Sequence, residues 1–139
     1  MASSQTDAGV LRFTSPFSFD DTVRRLQAAL AERNIKVFAT IDQQAEALAV
    51  GLSMPPTTLI VFGNPKAGTP LMLAVPSSGI DFPLKALVVE STQGHVDVYI
   101  NATRYLIERH GLPSALAANL APVESLIAHL LDGATSSWN

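Results

Sequence analysis

Hydrophobic and polar positions change period several times along the chain, and each change marks an element. Val10–Thr14 places Leu11 and Phe13 on one face of a short predicted strand. Phe19, Val23, Leu26 and Leu30 then recur at helical spacing, while Arg24, Arg25 and Glu32 fall on the outer side. Ser18 stands before this stripe as an N-cap, with Asp21 three residues on in an acidic capping box. Asp20 adds negative charge where the helix dipole favours it, and Asn34 suits the left-handed stop.

Ile35–Ile41 alternates. Ile35, Val37, Ala39 and Ile41 are expected on one face of a strand, with Lys36, Phe38 and Thr40 on the other. Gln43–Val50 is alanine-rich and predicted helical, with Gly51 as its stop, and Met54-Pro55-Pro56 cannot continue it. Thr57–Phe62 is apolar on both sides and reads as a central strand. Gly63-Asn64-Pro65 signals a turn. Thr69 is expected to cap a helix that begins at Pro70, the favoured place for proline, and ends before Pro76. Ser77–Pro83 reads as a loop. Leu84–Glu90 and Val96–Asn101 read as strands of a hairpin around Gln93-Gly94. Ala102–His110 is predicted helical up to Gly111, and Ser114–Leu131 helical with a break at Pro122.

The order β-α-β-α-β-(α)-β-β-α-α points to an α+β fold, with a mostly antiparallel sheet and helices packed mainly on one face. The expected organisation is a flexible start over 1–9, a single domain over 10–132 and a flexible tail over 133–139. The length of 139 residues supports a core without staples. Cysteine is absent, which excludes disulfides and thiolate chemistry and fits a reducing compartment. A formal charge of -3 argues against nucleic-acid binding through bulk electrostatics. Charged residues make up 15% of the chain, and this low share favours a surface partly covered in a homo-oligomer. MASSQTDAGV has neither a basic segment nor an apolar core, so no signal peptide is expected. No run approaches the roughly 18 apolar residues of a membrane span. A cytoplasmic protein without membrane contact is the expectation.

Three blocks carry a family resemblance. They are Phe38–Gln43 with Ala45 and Gly51; Phe62-Gly63-Asn64-Pro65 with Gly68, Leu71 and Met72; and Asp81-Phe82-Pro83-Leu84-Lys85 with Glu90. In these blocks the chain resembles the bacterial and archaeal family DUF302, a domain of unknown function, over about residues 10–112. The resemblance implies a TATA-binding-protein-like α+β fold and often a dimer. It implies no established activity, substrate or cofactor. Relatives often carry Ile-Asp-His where this chain has Ile41-Asp42-Gln43. Glutamine neither carries a proton nor ligates a metal as histidine does, so the departure favours binding over His-dependent chemistry.

The candidate chemistry is sparse. Gly63–Thr69 could cradle an anion or polar ligand: Gly63 and Gly68 allow approach, Asn64 and Thr69 offer hydrogen bonds, and Lys66 brings charge. The same residues also serve a tight strand-to-helix connection, and no Walker loop occurs. Asp42, Asp81 and Glu90 could act as acid or base if they converge. Asp42 equally suits a helix cap and Asp81 a loop-ordering turn. His95, His110 and His129 show no metal-ligand spacing, and no metal or cofactor is expected. The leading expectation is a non-catalytic homodimer that binds a small anionic or polar ligand through Asp42, Gln43, Gly63, Asn64, Lys66, Gly68, Thr69 and Asp81. The alternatives are an enzyme using Asp42, Asp81 or Glu90, and a purely structural dimer joined through Thr57–Ala74.

Overall fold

The computed structural model describes residues 3–5 and 8–132. Its elements are β1 (Ser3–Gln5), β2 (Val10–Thr14), α1 (Phe19–Glu32), β3 (Lys36–Asp42), α2 (Gln43–Ala49), β4 (Thr57–Gly63) and α3 (Pro65–Ala74). A 3₁₀ turn (Pro76–Asp81), β5 (Leu84–Glu90), β6 (Val96–Asn101), α4 (Thr103–His110), a second 3₁₀ turn (Ser114–Asn119) and α5 (Ala121–Asp132) follow. The strands form one sheet in the order β1-β2-β6-β5-β4-β3, with every pairing antiparallel. Ser3–Gln5, expected within a loose start, instead extend the sheet edge by pairing with Leu11–Phe13. The predicted tail 133–139 lies outside the described residues.

Local signals account for α1. The Ser18 Oγ accepts from the Asp21 N–H at 3.2 Å, and Asp21 then binds both Arg24 and Arg25. Asn34 adopts φ 58°, which lets the Ile35 N–H reach back to the Leu30 carbonyl at 2.9 Å. The buried face of α1 also carries Thr22, whose hydroxyl shares a 2.6 Å hydrogen bond with Ser15.

α1 and α5 cover one face of the sheet. Leu26 and Leu30 of α1 and Ile127 and Leu131 of α5 meet Phe13, Ile60, Phe62, Val88 and Val98, all fully or nearly fully buried. Each such side chain contributes about 1.5–3 kcal/mol relative to an exposed one. A second cluster joins Leu71 to Leu106, Ile107, Leu112 and Leu120. On the opposite face, Leu59 and Val61 of β4 and Leu87 and Val89 of β5 remain only partly buried.

Three elements differ from the sequence expectation. The single-face alternation of β3 breaks, because the register shifts between Val37 and Ala39. A bulge of one residue flips the side chains beyond it. Val37 lies opposite Phe62 on the helix-covered side, whereas Ala39 and Ile41 lie opposite Val61 and Leu59 on the other. α3 begins at Pro65, not Pro70. Asn64 caps it by accepting from the Lys66 N–H at 2.9 Å, and Pro70 sits inside the helix. Ser114–Leu131 does not break at Pro122; a 3₁₀ turn ends at Asn119, and Pro122 occupies the second residue of α5. There a backbone N–H has no intrahelical partner to lose.

By length and composition alone, Ser114–Asp132 qualifies as a membrane-crossing stretch of 19 residues, against the expectation that no run comes close. In the fold its apolar residues serve the interior. Ile127 and Leu131 are each 1% exposed in the main core, and Leu120 lies in the second cluster.

Candidate functional site

β4 ends at Gly63, and the chain turns at once into α3. Pro65 is set at the first helical residue, where its fixed φ suits the helix. The Asn64 carbonyl accepts from both the Ala67 and Gly68 N–H groups at 2.9 Å, so the first turn closes tightly. Asn119, on the second 3₁₀ turn, donates its side-chain amide to the Ala67 carbonyl at 3.0 Å. This bond holds the turn beside α3 and leaves a gap between them.

The gap is a cleft of about 540 Å³. Its walls come from four stretches: Arg33 to Phe38 at the start of β3, Gly63 to Met72, Phe82 to Leu84 before β5, and Ala118 to Leu126. Most of the lining is apolar, including Ile35, Phe38, Met72, Phe82, Leu120 and Leu126. Arg33, Asn64, Thr69 and Asn119 provide the polar lining, and no carboxylate is among the lining residues.

Gly68 faces this space as the fourth residue of α3. A Cβ added there would meet nothing within 4 Å, and its φ is not in the left-handed region. A glycine inside a helix costs roughly 0.5–1 kcal/mol relative to alanine. Among the described residues, neither backbone conformation nor packing requires that cost here. At Gly63 an added Cβ would make ordinary contacts, 3.6 Å from Phe38 and from Pro83.

The residues expected to form one site are divided by the fold. Gly63, Asn64, Gly68 and Thr69 line the cleft. Lys66 is exposed on the same helix and lies outside the lining. Asp42 pairs with Thr58, whereas Gly63 pairs with Lys36. Five residues of antiparallel strand, about 17 Å, therefore separate Asp42 from the corner. Asp42 caps α2 by accepting from the Ala45 N–H at 2.9 Å, and Gln43 is the first residue of that helix. Asp81 is engaged elsewhere: Arg109 reaches its two carboxylate oxygens at 3.2 and 3.1 Å, and the His110 Nε2 bonds the same carboxylate. Glu90 stands at the far end of β5, opposite Val96. The three carboxylates do not converge. Among the described residues, no group of three or more His, Asp or Glu could hold a metal ion.

Arg33, Phe38, Phe82 and Asn119 were not among the expected site residues, although Phe38 and Phe82 stand in the blocks that carry the family resemblance. They come from four separate segments, and no local motif marks any of them as a partner of Gly68. The one clue was Arg33 beside Asn34, where a helix stop exposes a long cationic side chain.

Residues 11–131 match the family described as Domain of unknown function DUF302. A crystal structure of an uncharacterized conserved DUF302 protein from Bacillus stearothermophilus shares the fold, with a TM-score of 0.76 over 89% of this chain and 96% of that one. At 18% identity, that likeness speaks for architecture alone. Two curated proteins, each called fluoride-specific ion channel FluC 1, come from Brucella suis and Brucella abortus. Both are 38% identical to this chain over 106 residues. The matched segment is 76% of this chain but only 42% and 39% of those proteins. The chain belongs to the DUF302 family.

Proposed function

We propose that this DUF302 chain is a non-catalytic small-molecule-binding domain whose ligand occupies the cleft between α3 and the Asn119 turn. The observation that carries this reading is the cleft itself: about 540 Å³, apolar walls and a few polar groups. Small-molecule sites have this size and make-up. Gly68 supports it, since no described residue fills the room above that helix position. The rival reading, acid–base catalysis, finds no carboxylate among the residues that line the cleft. Asp42 is committed to a helix cap, Asp81 to Arg109 and His110, and neither lines the cleft. A module similar to this one accompanies a longer polypeptide in the Brucella channels, and ligand sensing by such a module is compatible with that context.

The test is native mass spectrometry of freshly purified wild-type protein and Gly68→Leu. The expected result is a retained small-molecule mass on the wild type that is lost from the variant, with circular dichroism unchanged. Equal retention by both proteins would remove the cleft as the site. The same spectra report assembly. We propose a homodimer through the uncovered sheet face, favoured by the partly exposed Leu59, Val61, Leu87 and Val89. Val61→Lys is expected to convert dimer to monomer.

A further inference from the structure

We infer that the ligand of this cleft is an amphipathic monocarboxylate, its apolar body between Phe82, Leu120 and Leu126 and its carboxylate at Arg33. The inference rests on the cleft being a ligand site, as proposed above, and adds the chemical class.

Arg33 is the one charged residue among the described residues that line the cleft. Arg33 is an exposed lining residue, and among the described residues its guanidinium has no hydrogen-bond or ion-pair partner. The Lys36 ammonium lies 5.1 Å from the centroid of the Phe38 ring, and Phe38 is itself part of the wall. Lys85, on the sheet face of Val61, donates to the carbonyl of the lining residue Pro83 at 3.2 Å, and Lys66 lies between the lining residues Pro65 and Ala67; neither lines the cleft itself. These four are drawn from only 9 Lys and Arg in a chain whose net charge is -3. Three carboxylates adjoin the wall in sequence: Asp81 is paired with Arg109, Glu124 accepts from the Thr103 N–H, and Glu32 stands next to Arg33 without lining the cleft.

An inorganic anion would leave the apolar walls unused, and a hydrocarbon would leave Arg33 unused. A ligand with both parts uses both. A guanidinium presents a planar fork that matches a carboxylate. One such group at the mouth, with lysines farther out, suits a single head group. The mouth does not suit a cationic amphiphile, which would meet like charge.

The test is isothermal titration calorimetry of the intact chain with hexanoate, octanoate, decanoate, octanol and octylammonium. Each added methylene is expected to tighten carboxylate binding about fourfold until the cleft is full. Octanoate is expected to bind about tenfold more tightly than octanol. Arg33→Gln should remove that preference while leaving octanol affinity within about twofold. Equal binding of octanoate and octanol, unmoved by Arg33→Gln, would overturn the carboxylate assignment and leave the cleft as an apolar site. Stronger binding of octylammonium would overturn it as well. Binding by none of the probes would also overturn it, while the retained mass lost in Gly68→Leu judges the cleft separately.

Discussion

Gly68→Ala should stabilise the ligand-free protein. Gly68 sits in the interior of α3, a helix of 10 residues, and its φ lies outside the left-handed region. An alanine Cβ at this position would meet no atom within 4 Å apart from its own helix neighbours. The gain is then the ordinary difference between glycine and alanine in a helix, about 0.5–1 kcal/mol, which arises from restricting the unfolded chain. For 139 residues, an unfolding entropy near 2.1 cal/mol/K per residue sums to about 0.3 kcal/mol/K. The expected rise in Tm is therefore about 2–3 °C. Differential scanning calorimetry of dialysed wild type and variant measures it, with urea midpoints as a second measure. A fall in Tm would refute the reasoning. It would mean that the space above Gly68 is filled in the free protein, so that the cleft is not open to a ligand there.

Gly9 is the opposite case. Its φ is +82°, and an added Cβ would lie 2.3 Å from Tyr105 Cδ1 and Cγ. Gly9→Ala is expected to lose about 2–4 kcal/mol, from left-handed strain and overpacking together. Urea unfolding checks this, and a loss below about 0.5 kcal/mol would show that neither the backbone nor Tyr105 is held as described. Asp21 supplies a pH-dependent prediction. The Arg25 side-chain hydrogen bond is the main cause that holds its carboxyl below the usual carboxylate range, with the Arg25 and Arg24 charges adding to it. A depressed folded-state value stabilises the fold above the unfolded pKa, and this stabilisation is lost as pH falls through the folded value. Carbon-13 NMR titration should place the Asp21 midpoint below about 3.9, and Arg25→Gln should raise it more than Arg24→Gln does. An unshifted wild-type midpoint would refute the assignment.

The contrast between α1 and β3 shows which parts of the fold could be read from sequence. The signals of α1 are all local. Ser18, the apolar stripe and Asn34 act within the segment they define, and each is found in its expected role, whereas the Asp21 carboxylate binds Arg24 and Arg25 instead of closing a capping box. β3 has an equally clear alternation, yet its faces are reset at the bulge because register is decided by pairing with β4, not by β3 itself. α3 is intermediate. Asn64-Pro65 and Thr69-Pro70 both satisfy the rule of a polar cap followed by proline. Starting at Asn64 adds the turn whose Ala67 carbonyl receives Asn119, a residue 52 positions away. The start at Asn64 is held both by its own cap bonds and by this distant contact.

The same distinction explains the site. The corner Gly63–Thr69 was legible because glycine, proline and caps are local signs, and all its residues but Lys66 line the cleft. The expected convergence of Asp42 and Asp81 on that corner required knowledge of where strands begin and end in space. Asp81 nevertheless bears on the cleft, by a route that its sequence context did not reveal. It closes the 3₁₀ turn Pro76–Asp81, and its carboxylate is held by Arg109 and His110 at the end of α4. The next residue is Phe82, which forms part of the cleft wall and packs against the second apolar cluster. Anchoring Asp81 to α4 therefore fixes where Phe82 stands. The carboxylate that sequence placed among the ligand contacts acts one step behind them, by positioning the wall that a ligand would touch.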